Sequence, residues 1–393
     1  MNRQRSILHL NVADFAVAVE RVADRSLCQK PIIVAPLQAA RAAVYDMSDE
    51  AYNDGVRKGM LLNRASRICR SARILAPNFA LYRRAMEAFV NEARSYSPII
   101  EYGAEDGHLY LDITGTHRLF GAAPDVGWRL HRQIRNKLEI DPIWSLAANK
   151  LVSKVGSRLV KPVGEYIVAD GEEQGFLAPL ALQLLPGIRA AEMQRLGEFN
   201  IVKIGQLALL TRVQLYGAFG KRGETLFEIS HGIDHDIVRP ETAQLPTIKR
   251  GHVFNDDTAE RRSLEGVANS LAAHIGMELR ETRMVARRVA VALDFSDGSQ
   301  VIRQATVRRG VSDDESLQNM ALLALKRAVN RRTRVRSCLL TCDRLHRRSP
   351  QLPLFAEPGR GEQRREKLLT AMDTVRRRFG SEAIRVGKQA ILH

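Results

Sequence analysis

The order of elements between residues 246 and 346 constrains the fold most. A strand near Gly251–Phe254 precedes an amphipathic helix from Ser263 to about Thr282. Two strands, Arg287–Phe295 and Gln300–Val307, then flank Ser296-Asp297-Gly298-Ser299, a tight-turn sequence in which glycine tolerates positive φ. A helix from Asp314 to Arg331 and a strand Arg336–Thr341 complete a β-α-β-β-α-β order. That order predicts a four-stranded sheet with two helices on one face and the other face free.

This segment also concentrates charge. The chain of 393 residues carries 60 Lys+Arg against 44 Asp+Glu, a net of +16, and Pro246–Pro350 alone has 20 against 12, a net of +8. Such an excess points to a polyanion, nucleic acid before anionic membrane. Lys249, Arg250, Arg287, Arg303, Arg308 and Arg309 lie on or beside the strands and are the candidate phosphate contacts of an open basic sheet. A solvated sheet face is the alternative.

At 45% hydrophobic and 26% charged the chain is ordinary globular material. It has no apolar run long enough to span a membrane and no signal-peptide core, so a cytoplasmic, nucleoid-associated protein is expected. Four cysteines in this length argue against a disulfide framework. Cys338 and Cys342, with His346 nearby, are too thin a set for zinc and are expected as buried thiols.

The N-terminal part reads as a mixed region. Ile7–Val12 is a short strand followed by a helix over Phe15–Ala23, and Pro31–Ala35 is a buried strand. Residues 49–58 read as a polar helix and Ala80–Tyr96 as an amphipathic one. A hairpin, Ile99–Tyr102 and His108–Ile113, turns at Glu105-Asp106-Gly107. Helices follow at about 124–138 and from Ala148 to Leu159. Residues 176–235 read as all-helical. There Leu185-Pro186-Gly187-Ile188 through Leu196-Gly197, Lys203 and Gly205 have the form of a helix-hairpin-helix. Its backbone N–H groups could face a phosphate, or it could be a plain glycine-capped turn.

Several runs together resemble the Y-family DNA polymerases, the lesion-bypass class, over nearly the whole chain. They include Ile7-Leu8-His9-Leu10 with Phe15 and Val19-Glu20, and Gly55-Val56-Arg57-Lys58-Gly59-Met60. Leu109-Tyr110-Leu111-Asp112-Ile113-Thr114-Gly115, Leu119-Phe120-Gly121, and Ala147–Lys154 with Lys161-Pro162-Val163-Gly164 complete them. The resemblance implies an α+β right hand. Palm and fingers would occupy 1–165 (fingers about 22–76), a helical thumb 166–240 and a β-α-β-β-α-β little finger 241–348. A clamp-binding motif and basic tail would occupy 349–393, with Arg376-Arg377-Arg378 on a solvated helix face.

Active members hold two Mg²⁺ ions with clustered carboxylates. At the matching positions this chain has Asn11, Gly107 and His108, which cannot supply the anionic oxygens that hard cations require. The family's aromatic ribonucleotide filter falls on Ala16, and its triphosphate-contacting tyrosine and arginine fall on Asp49 and Tyr52. Lys150 stands at a position where the family uses lysine against the triphosphate, as a remnant nucleotide contact. Asp14, Glu105 and Asp106 are nearby acids that could in principle compensate, and a solvated Glu-Asp-Gly turn explains the last two more simply. The Glu105-Asp106-Gly107 turn resembles the silent ImuB branch, whose members act as adaptors for an active polymerase, while the finger region is more similar to the active DinB type.

Gln351-Leu352-Pro353-Leu354-Phe355 resembles the bacterial clamp-binding peptide. Gln351, Leu352, Leu354 and Phe355 would be its anchors on the β subunit of the sliding clamp. An ordinary packed loop is the alternative. The expectation is a non-catalytic, DNA-binding adaptor in translesion synthesis, mutagenesis and the SOS response. Its partners would be DNA, the clamp and another polymerase or repair protein, with no membrane and no cofactor. Mg²⁺ would enter only under the alternative, an active polymerase with rearranged carboxylates. A nucleic-acid-binding module unrelated to replication is a third reading.

Overall fold

Strand β1 (Ile7–Asn11) is buried at every position, because it runs between two other strands and beneath helices on both faces. The computed structural model describes residues 5–37, 42–103, 105–240, 247–347, 360–380 and 383–384. The chain forms two units, Met1–Gln244 and Leu245–His393.

In the first unit, Asp14 adopts the left-handed conformation (φ 46°) and turns the chain from β1 into α1 (Phe15–Ala23). A small sheet of β2 (Ile32–Val34), β3 (Asp46–Met47) and β4 (Arg73–Leu75), ordered β3-β2-β4, packs with α2 (Asp49–Asn53) and α3 (Leu62–Ile68). Helix α2 is half the expected length because Gly55, at φ +107°, turns the chain away from it.

There follow α4 (Phe79–Arg94), β5 (Ile100–Tyr102), β6 (His108–Asp112), α5 (His117–Phe120), α6 (Ala123–Leu138), β7 (Ile143–Ala147), α7 (Lys150–Leu159) and β8 (Glu165–Ile167). The main sheet runs β5-β6-β1-β7-β8. Alternation divides its residues. Leu8, Leu10, Leu109 and Leu111 pack on Met86 and Phe89 of α4 and Leu130 and Ile134 of α6. Each such fully buried side chain contributes roughly 1.5–3 kcal/mol. His9, Asn11, His108 and Tyr110 project to the opposite face, where α7 lies. Strand β7 was not anticipated from the sequence. All five of its residues are buried, so it lacks the alternation that betrays a half-exposed strand.

Helices α8 (Glu173–Leu177), α9 (Ala190–Glu198), α10 (Ile204–Ala208), α11 (Arg212–Phe219) and α12 (Arg222–Ser230) share one apolar core with α7, through Val152, Val155, Leu196, Leu207 and Leu226.

The second unit has the β-α-β-β-α-β order expected. Its elements are β9 (Ile248–Thr258), α13 (Arg261–Glu281), β10 (Met284–Phe295), β11 (Gln300–Val311), α14 (Asp314–Ala328) and β12 (Val335–Asp343), with sheet order β11-β10-β12-β9. The short β13 (His346–Arg347) pairs with β10. Val289, Val291, Leu293, Cys338 and Leu340 pack against α13 and α14. The last helix, α15 (Arg360–Phe379), corrects at Arg376 the reading of its basic end as solvated, while Arg377 and Arg378 are exposed as expected. Arg376 is buried and bonds Asp314 at 2.9 Å, and Asp373 binds Arg280 at 2.7 and 2.8 Å. The four charges satisfy one another, which is what lets them leave water.

Candidate nucleic-acid interface and vacated metal face

Pairing of β1 with β6 puts Asn11 directly opposite His108 and His9 opposite Tyr110. Two of the positions singled out in the sequence, 97 residues apart, thus stand side by side on one face. Gly107 lies at the turn into β6, and its carbonyl accepts the Val12 N–H at 2.9 Å. It has φ +71°, and a Cβ there would lie 2.8–2.9 Å from three carbons of Phe15. A carboxylate side chain has neither the backbone conformation nor the room at this position.

The face is organised by a hydrogen-bond chain. Ser157 donates its hydroxyl to the Lys154 carbonyl at 3.0 Å, so at 2.7 Å from His9 Nδ1 it must accept. His9 Nε2 is then the unprotonated nitrogen, and it accepts from His108 Nδ1 at 3.2 Å. This tautomer assignment, inferred from the network, leaves the His108 Nε2 lone pair turned away from His9. Burial, and then the facing His108, holds His9 well below the usual imidazole range. Burial brings His108 down to about 4, against the opposing pull of Asp106. Both rings are neutral near pH 7. Asn11 is buried, and its Nδ2 has no partner among the described residues.

The donors present do not fit a pair of Mg²⁺ ions. Octahedral magnesium requires carboxylate oxygens, and an amide, a glycine and a neutral imidazole pair supply none. Among the described residues there is no group of three or more His, Cys, Asp or Glu side chains that could hold a metal.

The compensating acids are engaged otherwise. Asp106 accepts the His108 backbone N–H at 3.1 Å, closing its own turn, and Glu105 pairs with Arg83 at 3.2 Å. Burial, with Asp46 and Asp49 nearby, raises the Asp14 carboxyl to about 7. Asp46, absent from the sequence reading, is buried, accepts the Ala16 N–H at 2.9 Å and pairs with Lys58 at 2.7 Å. Tyr52 lies under the Arg57 guanidinium, 3.8 Å from its ring centre.

Lys150 is spoken for. Its ammonium binds both Glu101 oxygens at 2.8 and 2.9 Å and Asp236 at 2.8 Å. It is almost fully buried, so in this conformation it tethers the segment after α12 to the sheet and offers nothing to a triphosphate. The cations that act on His108 are Lys154, Lys161 and Arg158, none of which the sequence reading selected. The signal that could have found two of them was spacing, since Lys154 and Arg158 lie one turn apart on α7, while Lys161 follows the helix end.

In the helical region, Gly187 takes φ +93° and lies exposed in the hairpin before α9. Arg222 ties that hairpin down, donating to the Gly187 carbonyl at 2.7 Å and to Glu192 at 2.8 and 3.0 Å. The bond from Arg222 holds the Glu192 carboxyl below its usual range. Two glycines need correction as phosphate contacts. Gly197 is an exposed residue inside α9, not in a turn. The Gly205 N–H already donates to Ala178 O at 2.9 Å, and a Cβ there would strike that carbonyl at 2.8 Å, so this glycine serves helix packing. Lys203 is exposed.

The open basic sheet also needs correction. Register places Arg303 beside Val291 and Arg250 beside Leu340, on the helix-covered side, where Arg250 bonds Glu278 of α13. Arg309 and Arg287 sit in a β-bulge, where the register shifts and alternation assigns no side. Lys249 remains on the uncovered side, and Arg308 lies in the same bulge. With Lys249 are Ala290, Ala292, Gly251 and Ile302, and Arg288 paired with Asp343 at 2.5 Å. That face is small and largely neutral, because edge strands let long arginines project from either side. Gln351, Leu352, Leu354 and Phe355 lie outside the described residues. Of the cysteines, Cys69, Cys338 and Cys342 are buried, and Cys28 is exposed. No helix among the described residues is long and apolar enough to cross a membrane.

Comparison with known proteins bears on all of this. Residues 10–158 match the impB/mucB/samB family, and residues 247–354 match the C-terminal domain of the same family. DNA polymerase IV of Dehalococcoides mccartyi (strain ATCC BAA-2266 / KCTC 15142 / 195) is 29% identical over 385 residues, covering 98% of this chain and 97% of that protein. A solved Y-family DNA polymerase chimera superimposes with a TM-score of 0.75 at 20% identity, covering 87% of this chain and all of that one. An insertion ternary complex of Dbh DNA polymerase does so with a TM-score of 0.63 at 20% identity over the same share of this chain. At such identity these two speak for the fold.

Proposed function

Because this chain belongs to the Y-family DNA polymerases, DNA-binding proteins of damage bypass, we propose that it takes part as a non-catalytic adaptor. In this reading it holds DNA, is recruited to the sliding clamp through Gln351–Phe355, and passes the synthesis step to another polymerase.

The observation that carries the reading is the juxtaposition of Asn11 and His108 beside a Gly107 that tolerates no side chain. The face that would hold cations offers neutral nitrogen donors and, around them, lysine and arginine. Chemistry by two-metal phosphoryl transfer needs the opposite charge there. DNA is held instead through exposed cations and the Gly187 hairpin, so affinity should fall steeply with salt. The turn Glu105-Asp106-Gly107 supports likeness to the ImuB branch.

A second reading, an active polymerase, is favoured by the relative named DNA polymerase IV, similar over almost its entire length. Primer extension with purified protein, dNTPs and either Mg²⁺ or Mn²⁺ separates the two. The adaptor reading expects no incorporation above background. Robust incorporation abolished by Asp14→Ala or Asp106→Ala would establish rearranged carboxylates and end it.

A further inference from the structure

We propose that the vacated metal face binds a phosphate group of a nucleic-acid strand directly, with Lys154 and Arg158 standing in for divalent cations. The proposal deepens the adaptor reading and can fail separately from it.

Three observations meet here. First, Ser157 of α7 touches His9, so α7 is locked over β1 and β7 with a known rotation. Residues 154 and 158 then lie one turn apart on the same stripe of α7, with Lys161 just past the helix end, and the charges of all three act on His108. Second, Lys154 and Arg158 are half-buried, yet neither they nor Lys161 makes an ion pair among the described residues. Arg158 spends one N–H on the Leu184 carbonyl at 3.0 Å. Burial, and then the repulsion of Arg158, already draws the Lys154 ammonium below its usual range. Half-buried cations held together with no ion pair of their own, Asp106 being the acid that acts most on Lys154, are costly, and an anion between them reduces the cost. Third, Asn11 keeps a buried amide donor with no acceptor beneath the same site.

The opposing acids are few. Asp106 faces His108 and Lys154, and Asp14 faces Lys161. Glu101 and Asp236 are consumed by Lys150. A phosphate suits the site better than a carboxylate. Its several oxygens can reach ammonium groups on one side and a guanidinium fork on another. Two sources carry this chemistry, the backbone of a bound strand and a free nucleotide, and the strand is favoured because the rest of the protein holds DNA.

The test is fluorescence anisotropy in EDTA, with a labelled primer–template in one arm and a fluorescent dATP analogue in the other. It compares the native protein with Lys154→Gln and Arg158→Gln. The strand assignment expects each substitution to weaken DNA binding by roughly three- to tenfold and to lower the salt slope by about one. Loss confined to the dATP arm would keep the phosphate site and reassign its source. Unchanged affinity and slope in both arms would overturn the proposal, as would native binding that collapses when divalent ions are removed. Should the variants misfold, the native protein still decides. Inorganic phosphate in EDTA should shift the His108 imidazole resonances, and their constancy up to millimolar phosphate sinks the idea. Primer extension is unaffected by either result, so the adaptor reading stands or falls on its own.

Discussion

Asn11 on β1 and His108 on β6 are cross-strand partners, and the His108 ring is hydrogen-bonded to His9 two residues before Asn11. Three polar side chains thus occupy a face where a family polymerase concentrates negative charge. Their chemistry determines what repair by mutation can and cannot restore.

Carboxylates can be returned at two positions but not at the third. Gly107→Asp forces a side chain into Phe15 at a backbone angle that L-residues rarely adopt. A loss of about 2–4 kcal/mol in urea unfolding, at unchanged m, is expected. Native-like stability of that variant would show that the turn yields more than its geometry suggests. Asn11→Asp with His108→Glu should fold and still fail in primer extension.

Stability should fall on mild acidification. The folded-state affinities of His9 and His108 for protons are depressed, so the unfolded chain binds more protons between about pH 6.5 and about 4. The contribution is complete above the ordinary histidine range and is lost as pH drops towards about 4. For His108 it amounts to roughly 3 kcal/mol. Urea midpoints at several pH values should show this slope, flattened in His108→Gln. An identical slope in that variant would place the pH dependence elsewhere.

Lys150 is expected to matter for stability rather than for nucleotide affinity. Lys150→Met leaves Glu101 and Asp236 without their shared cation. Because Asp236 is partly exposed, the expected cost is about 1–3 kcal/mol, below that of a fully buried pair. Thermal melting measures it. A variant that melts like the native protein yet loses dATP affinity would return Lys150 to a nucleotide role.

In the proposed reading, clamp recruitment would rest on a short apolar anchor set. Leu354→Ala with Phe355→Ala should abolish capture by the immobilised sliding clamp, a loss of about 2 kcal/mol or more for central anchors. DNA affinity should be unchanged. Retention of clamp binding would move the contact to another surface.

Much of the fold was legible because its signals are local. Alternating leucines in Ile7–Asn11 and His108–Asp112, the Asp297-Gly298 turn and the helical periodicity of Arg261–Glu281 each depend on near neighbours. Strand β7 was not legible, because burial on both faces erases alternation. Arg376 misled because a basic run at a chain end is usually solvated, whereas here Asp314 and Asp373 receive it.

The sequence by itself determined the family, the order of elements in the second unit and the absence of acids at positions 11, 107 and 108, since residue identity and local period are written in the chain. Only the tertiary structure decided that Asn11 faces His108, that Lys150 is sequestered and that Arg303 and Arg250 lie on the covered side of their sheet. It also brought Lys154, Arg158 and Lys161 together around the neutral histidines. Those relations depend on strand register and helix rotation, which are set by how distant apolar faces pack together.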